Sequence, residues 1–214
     1  NFVFENVQKV EKKKGSFMVY AGEKTFEVNF VIVASGSVPT KLGIKGEDEF
    51  FGKGVSYCAI CDGMFFKNKK VAVVGEGRHV EADINFLKGF SSVVWLRKPG
   101  SPVKEINGIS IIKAIPLEIR GENYVTSIVV QTETGIIEIE IDGVFIFAGF
   151  KPSFDFLPSD VVLDTSGFVK TDASLQSSVS GIYACGDIRS GSLKQIVSAV
   201  NDGAIAVNEI RKRI

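Results

Sequence analysis

The sequence predicts an α/β protein with parallel strands in two separate places, and three stretches carry that prediction. FVIVASGS (30–37) and GIYACGD (181–187) are continuous apolar runs ending in small residues. Such runs mark strands buried on both faces, as in parallel sheets, rather than strands with one wet face. Between them, KKVAVVGEGRHVEADINFLKGFSSVVWLRK (69–98) has the pattern of a complete strand–helix–strand unit. Units of this kind run to about 30 residues and cross over with a right hand.

The elements follow in order. VQKVEKKKGSFMVY (7–20) alternates around Lys-Lys-Gly and predicts a hairpin, and KTFEVNF (24–30) offers a third antiparallel strand. After the run at 30–37, Pro39 and Gly43 break the chain, and GIKGEDEFFGKG (43–54) is expected to be loop. In the central unit a strand at 71–74 meets a turn at Gly75 and Gly77. A helix then places Val80, Ile84 and Leu87 on one side, and a second strand occupies 93–96. SIIKA (110–114) predicts another strand. Residues 125–150 predict two alternating strands around Thr-Glu-Thr-Gly and a third, more apolar one. A loop region after Pro152 leads to GIYACGD. LKQIVSAVNDGAIAVNEIRKRI (193–214) closes as a helix rich in small residues, its basic end suited to a C-terminus.

Composition narrows the function. Lys+Arg and Asp+Glu number 25 each, so no charge footprint points to nucleic acid or an anionic membrane. GVFIFAGF (143–150), among the longest apolar runs, has strand length and falls far short of a membrane span. NFVFENVQKVEKKK mixes charges into its apolar residues, unlike a secretory leader. The expectation is a soluble cytoplasmic protein with no nucleic-acid or membrane partner. The chain enters mid-pattern at Asn1, which suggests that something precedes it. Three cysteines are too few for a disulfide scaffold.

Two motifs carry chemistry. In Gly75-Glu76-Gly77-Arg78-His79-Val80 the first glycine permits a tight turn, and the second lets a phosphate approach the helix N-terminus. Val80 stands where a small residue usually allows close packing, and Glu76 brings a negative charge to the place of a pyrophosphate. Dinucleotide binding and a plain structural turn both fit. Arg97 and Lys98 end the next strand and suit a 2′-phosphate, hence NADPH, although a solvated basic strand end fits as well. In SYCAICDGMFF (56–66), Cys58 and Cys61 are two residues apart. Zinc would need further ligands, and the chain offers only Cys185 and one histidine, His79, so no metal site is expected. A redox dithiol needs only two sulfurs and a nearby proton donor, which Asp62 could be. Two structural cysteines are the alternative.

Taken together these pieces resemble thioredoxin reductase, the low-molecular-weight flavoprotein type. CAICDG resembles its redox-active motif, VIVASG a strand of its FAD domain, and ACGDI…LKQIVSAVNDGAIA its C-terminal flavin-binding signature. The resemblance implies two discontinuous Rossmann-like domains of three layers. Residues 1–51 and 144–214 would form the FAD domain, incomplete at its N-terminus because the family's first glycine unit should lie upstream of Asn1. Residues 52–143 would form the NAD(P)-binding domain with the dithiol. The family also implies a domain rotation, with 50–54 and 141–144 as candidate hinges through Gly52 and Gly54.

Residue by residue, the resemblance makes Cys61 the sulfur next to the flavin, Cys58 the sulfur that attacks a protein disulfide, and Asp62 the acid. Ala34, Ser35, Gly36, Gly186, Asp187, Lys194, Gln195 and Ile196 would hold FAD; Gly75, Gly77, Arg97 and Lys98 would hold the nicotinamide cofactor. The implied activity is reduction of a thioredoxin-like disulfide with electrons from NADPH, in a homodimer. The family's Gly-Gly-Gly-Asn/Asp-Ser/Thr-Ala and His-Arg-Arg appear here as Gly-Glu-Gly-Arg-His-Val and Arg97-Lys98-Pro99, and the helix that normally follows is expected to find no room between Gly100 and Gly108. NADH or another donor, a redox sensor and a non-enzymatic partner subunit therefore stand as alternatives.

Overall fold

The computed structural model describes residues 1–102 and 105–214. The expectation of no helix between Gly100 and Gly108 falls partly on residues 103 and 104, outside the described residues. In chain order the strands and helices are β1 Val7–Lys12, β2 Phe17–Ala21, β3 Lys24–Val28, β4 Val31–Val33, β5 Ser37–Pro39, β6 Val55–Ser56, α1 Ala59–Asp62, β7 Lys70–Gly75, α2 Arg78–Leu87 and β8 Ser92–Arg97. They continue as β9 Ser110–Lys113, β10 Ile115–Gly121, β11 Val125–Thr132, β12 Gly135–Glu140, β13 Gly143–Phe147, β14 Phe150–Pro152, β15 Ile182–Ala184 and α3 Ile196–Arg211.

The chain divides into two compact units, Asn1–Val38 with Phe150–Ile214, and Pro39–Gly149. In the first, β1, β2 and β3 form the expected antiparallel sheet, whose alternation buries Val10, Phe17 and Ala21. β4 and β15 pair in parallel, and β15 is buried throughout. β4 departs from expectation, since Ile32 is 40% exposed although Val33 is buried. Among the described residues β4 has β15 as its one ladder partner. Its second face opens on a cavity lined by Ile32 and Ala34 rather than on a packed layer.

The second unit holds a five-stranded parallel sheet in the order β6-β13-β7-β8-β9. α2 covers one face through Val80, Ile84 and Leu87, all fully buried against Trp95 and Phe145. The antiparallel sheet β10-β11-β12 covers the other, with Ile119, Ile128 and Val130 packed on Val74, Val94 and Leu96. This is the three-layer arrangement expected of the unit. β10 was not foreseen: Pro116 interrupts its pattern, and the ladder shifts register between Pro116 and Glu118.

The division at 38/39 and 149/150 differs from the expected boundaries at 51/52 and 143/144. Phe50 is buried in the second unit's core, and β13 lies between β6 and β7 in its sheet. The chain is therefore already built into that unit at 50–56 and remains in it through β13. Gly52 and Gly54 adopt positive φ in a turn leading into β6, closed by Gly52 N–H to the Val55 carbonyl, so they are not at the junction.

Candidate active site

The dithiol loop leaves the short edge strand β6 and enters α1, for which Cys58 is the N-cap. Cys58 and Cys61 are joined as a disulfide with Cα atoms 5.3 Å apart. Cys61 is exposed and Cys58 half-buried. The Cys61 backbone N–H donates to Cys58 Sγ at 3.1 Å. Asp62 ends α1, and its Oδ2 accepts a 2.6 Å hydrogen bond from the buried hydroxyl of Ser56. A cavity of about 500 Å³ opens beside this carboxylate, lined also by Lys53, Lys69, Phe65 and Tyr124. Ile60, Met64 and Phe65, close to the cysteines in sequence, are exposed, Phe65 at 77%. Behind the loop, Glu47 is only 1% exposed, and its carboxylate accepts from Leu42 N–H, Gly43 N–H and the Tyr57 hydroxyl. Burial first, then Glu47, pushes the Tyr57 phenol well above its ordinary range.

The first unit places most of its expected residues around one cavity of about 380 Å³: Ala34, Gly36, Gly186, Asp187, Lys194, Gln195 and Ile196 all line it. Ser35 does not line it; its hydroxyl donates to the Ser153 carbonyl. Small residues keep the cavity open, for a Cβ added at Gly36 or Gly203 would meet nothing within 4 Å. Ile196, which lines it, is 85% exposed, and Val197 and Val200 of the same helix are also bare. Burial lowers the Lys194 ammonium below its ordinary range, and its Nζ lies 3.9 Å from the Phe168 ring. Beneath the turn, Asp202 is 4% exposed and takes two bonds from Arg189, at 3.0 and 3.2 Å, plus the Gly186 N–H at 3.0 Å. Cys185 is buried beside it, and burial pushes its thiol up to about 11.

The glycine turn also sits where expected, between β7 and α2. Gly75 and Gly77 both have positive φ, and a Cβ at Gly75 would strike the Phe147 carbonyl. Trp95 Nε1 donates to the Gly75 carbonyl, and the Arg97 guanidinium stacks 4.4 Å from the Trp95 ring. Arg97 is 7% exposed, and its Nε and Nη1 are buried without a hydrogen-bond partner among the described residues. Lys98 is exposed. Glu76 Oε1 accepts from the Lys98 N–H at 3.2 Å and from the Ser101 hydroxyl. Among the described residues no cluster of three His, Cys, Asp or Glu side chains could hold a metal, and no helix is long and apolar enough to cross a membrane.

Sequence reasoning missed Asp202, Ser56 and Glu47, and saw Glu76 only as a misplaced charge. Asp202 had a signal, an acid alone among the small and apolar residues of VNDGAIA. Ser56 and Glu47 had none, since their roles depend on partners that folding brings together.

Residues 1–78 and 103–203 match the model of the family described as pyridine nucleotide-disulphide oxidoreductase. The chain belongs to that family. Within it, the chain is 34% identical to the thioredoxin reductase of Treponema pallidum, over 96% of this chain and 71% of that protein. The crystal structure of thioredoxin reductase from Streptococcus pyogenes matches 97% of this chain and 72% of its own, at 31% identity and TM-score 0.88. A ferredoxin-flavin thioredoxin reductase from Clostridium acetobutylicum matches 97% of this chain and 71% of its own, at 30% identity and TM-score 0.50. The family resemblance thus runs along nearly the whole chain, which spans about 71% of such relatives' length.

Proposed function

We propose that this chain carries the flavin-dependent reduction of a thioredoxin-like protein disulfide through Cys58 and Cys61. The observation that carries the reading is the closed Cys58–Cys61 pair on a surface loop, with the Asp62 carboxylate held in the same turn. FAD suits the cavity of the first unit, where Gly36 and Gly203 leave room and the bare Ile196 of α3 offers an aromatic ring a face. Ala34, Gly36, Gly186, Asp187, Lys194, Gln195 and Ile196 would hold it; bound there, it supplies the two-electron chemistry between the donor and the disulfide.

From the dithiol state the protein's own groups complete the reaction. Cys58, as thiolate, attacks one sulfur of the partner disulfide, forming a mixed disulfide and expelling a partner thiolate. That thiolate takes up a proton. Cys61, as thiolate, then attacks Cys58 Sγ, re-forms the Cys58–Cys61 bond and releases the second partner thiolate. Asp62 serves as the proton donor and acceptor of the loop. A homodimer in the cytoplasm completes the proposal.

The family expectation for the donor is NADPH, with Gly75, Gly77, Arg97 and Lys98 around it. Glu76 favours a second reading. Its carboxylate already takes the Lys98 amide and the Ser101 hydroxyl, donors of the kind a phosphate would use. A donor other than NADPH, such as NADH or the ferredoxin named for the Clostridium relative, fits that arrangement.

The test is steady-state reduction of thioredoxin disulfide by the full-length flavoprotein supplied with NADPH, NADH or reduced ferredoxin. Turnover that Cys58→Ser abolishes while the flavin stays bound supports the proposal. Turnover unchanged in that variant contradicts it. Cys61→Ser separates the two sulfurs, because it should trap the mixed disulfide that Cys58→Ser cannot form.

A further inference from the structure

The dithiol loop is anchored on one side and bare on the other. Upstream of Cys58, Ser56 is 3% exposed, and the Tyr57 ring packs on the core of its unit. Downstream, Ile60 and Cys61 are exposed in the single turn of α1. The anchor at Tyr57 ends on Glu47, which is 1% exposed. Glu47 Oε1 accepts the Tyr57 hydroxyl at 2.9 Å and the Leu42 N–H at 3.0 Å, and Oε2 accepts the Gly43 N–H at 2.8 Å. Lys41 and Lys45, close in sequence, bind Asp48 and Glu118 instead.

Burying a carboxylate is costly unless hydrogen bonds replace its water. Here three donors do so, two of them backbone amides and the third the hydroxyl of the residue before Cys58. Losing one bond leaves a buried group unpaired, so the three hold together. The Tyr57 ring also lies 5.6 Å from that of Phe51. None of these contacts involves a sulfur, so opening the disulfide removes none of them.

We propose that Glu47 is a positioning residue of the dithiol: through Tyr57 it holds the Cys58 side of the loop in both redox states, so that Cys61 is the sulfur that moves. The inference rests on the reading of Cys58 and Cys61 as the redox pair. A fixed Cys58 favours closure, because the open dithiol then has less freedom to lose when the sulfurs rejoin. In the resolving step Cys61, as thiolate, attacks Cys58 Sγ, the bond from Cys58 to the partner breaks, and the partner sulfur leaves as thiolate. With Cys58 held, only Cys61 must find its position.

The experiment equilibrates the full-length flavoprotein with mixtures of reduced and oxidised dithiothreitol. In the exchange the Cys58–Cys61 bond breaks, two protein thiols form, and dithiothreitol closes to its cyclic disulfide. Alkylation and peptide mass spectrometry give the reduced fraction of the pair. Tyr57→Phe keeps the ring and removes only the hydroxyl. It should make the pair easier to reduce, lowering the ratio of reduced to oxidised dithiothreitol at half reduction by roughly three- to tenfold, a part of one residue's conformational freedom. Ile128→Val trims the same core without removing a hydrogen bond and should leave that ratio in place. In the native protein, the Leu42 and Gly43 amides should stay protected from hydrogen exchange when the pair is reduced. A ratio unmoved by Tyr57→Phe, a ratio moved equally by Ile128→Val, or amides that open on reduction would overturn the inference. The reading of the redox pair is judged separately, by the loss of turnover in Cys58→Ser.

Discussion

In the first unit β15 ends at Ala184 and the chain turns at Gly186, where the nearby carboxylate, Asp202, is buried with its oxygens taken by Arg189 and the Gly186 N–H. In the second unit β7 ends at Gly75, and the nearby carboxylate, Glu76, is exposed and reaches across to Lys98 and Ser101. Both are strand ends marked by glycines with positive φ, each close in sequence to a helix. The outcomes are opposite. A carboxylate packed under the turn spends its charge on the protein and leaves an open cavity lined by small residues. A carboxylate on the turn takes donors that an anionic ligand would otherwise meet. The two turns share glycines of positive φ and differ in where the acid lies and which donors it takes.

The comparison yields four tests. Cys185 abuts the buried turn, and its thiol titrates at about 11 because burial disfavours the thiolate. The group stays neutral below that value, so at pH 8 only about one molecule in a thousand carries the thiolate, the form that reacts. Alkylation at pH 8 after mild reduction should label Cys58 and Cys61 and spare Cys185, as peptide mass spectrometry would reveal. Asp202→Ala leaves Arg189 without its partner and should cost about 3–5 kcal/mol, read as a lowered thermal midpoint. A loss under about 1 kcal/mol would mean that the pair contributes little beneath the cavity.

Glu76→Gly should free the Lys98 amide and Ser101 hydroxyl and tighten NADPH binding about tenfold, equivalent to ~1.4 kcal/mol. Protein fluorescence titrated with NADPH measures it, and equal affinity in both proteins would remove Glu76 as the barrier. Ile196→Ser alters a bare side chain, so stability should change by no more than about 0.5 kcal/mol. Flavin retention on gel filtration should nevertheless fall, since Ile196 lines the cavity.

Much of the fold was legible because local pattern and tertiary packing agree. Val80, Ile84 and Leu87, spaced for one helix face, are all fully buried, and the strands on either side of α2 lie where the apolar runs put them. β10 was illegible because Pro116 and a register shift erase its alternation. The unit boundaries were illegible because no residue at 39–50 announces that Phe50 and Glu47 will be core. At the candidate site the residue types were readable, and seven of the eight expected cofactor residues of the first unit line one cavity. Their connections were not. Ser56 and Asp62 are six residues apart, Glu76 and Ser101 twenty-five, and nothing in a linear pattern links them.

The most direct measurement bypasses the donor question. The full-length flavoprotein, reduced anaerobically by light, is mixed with one equivalent of thioredoxin disulfide, and the partner's free thiols are counted. Stoichiometric thiols from the native protein and none from Cys58→Ser are the expected result. Equal thiols from both would contradict the assignment of Cys58 and Cys61 as the pair through which the electrons leave.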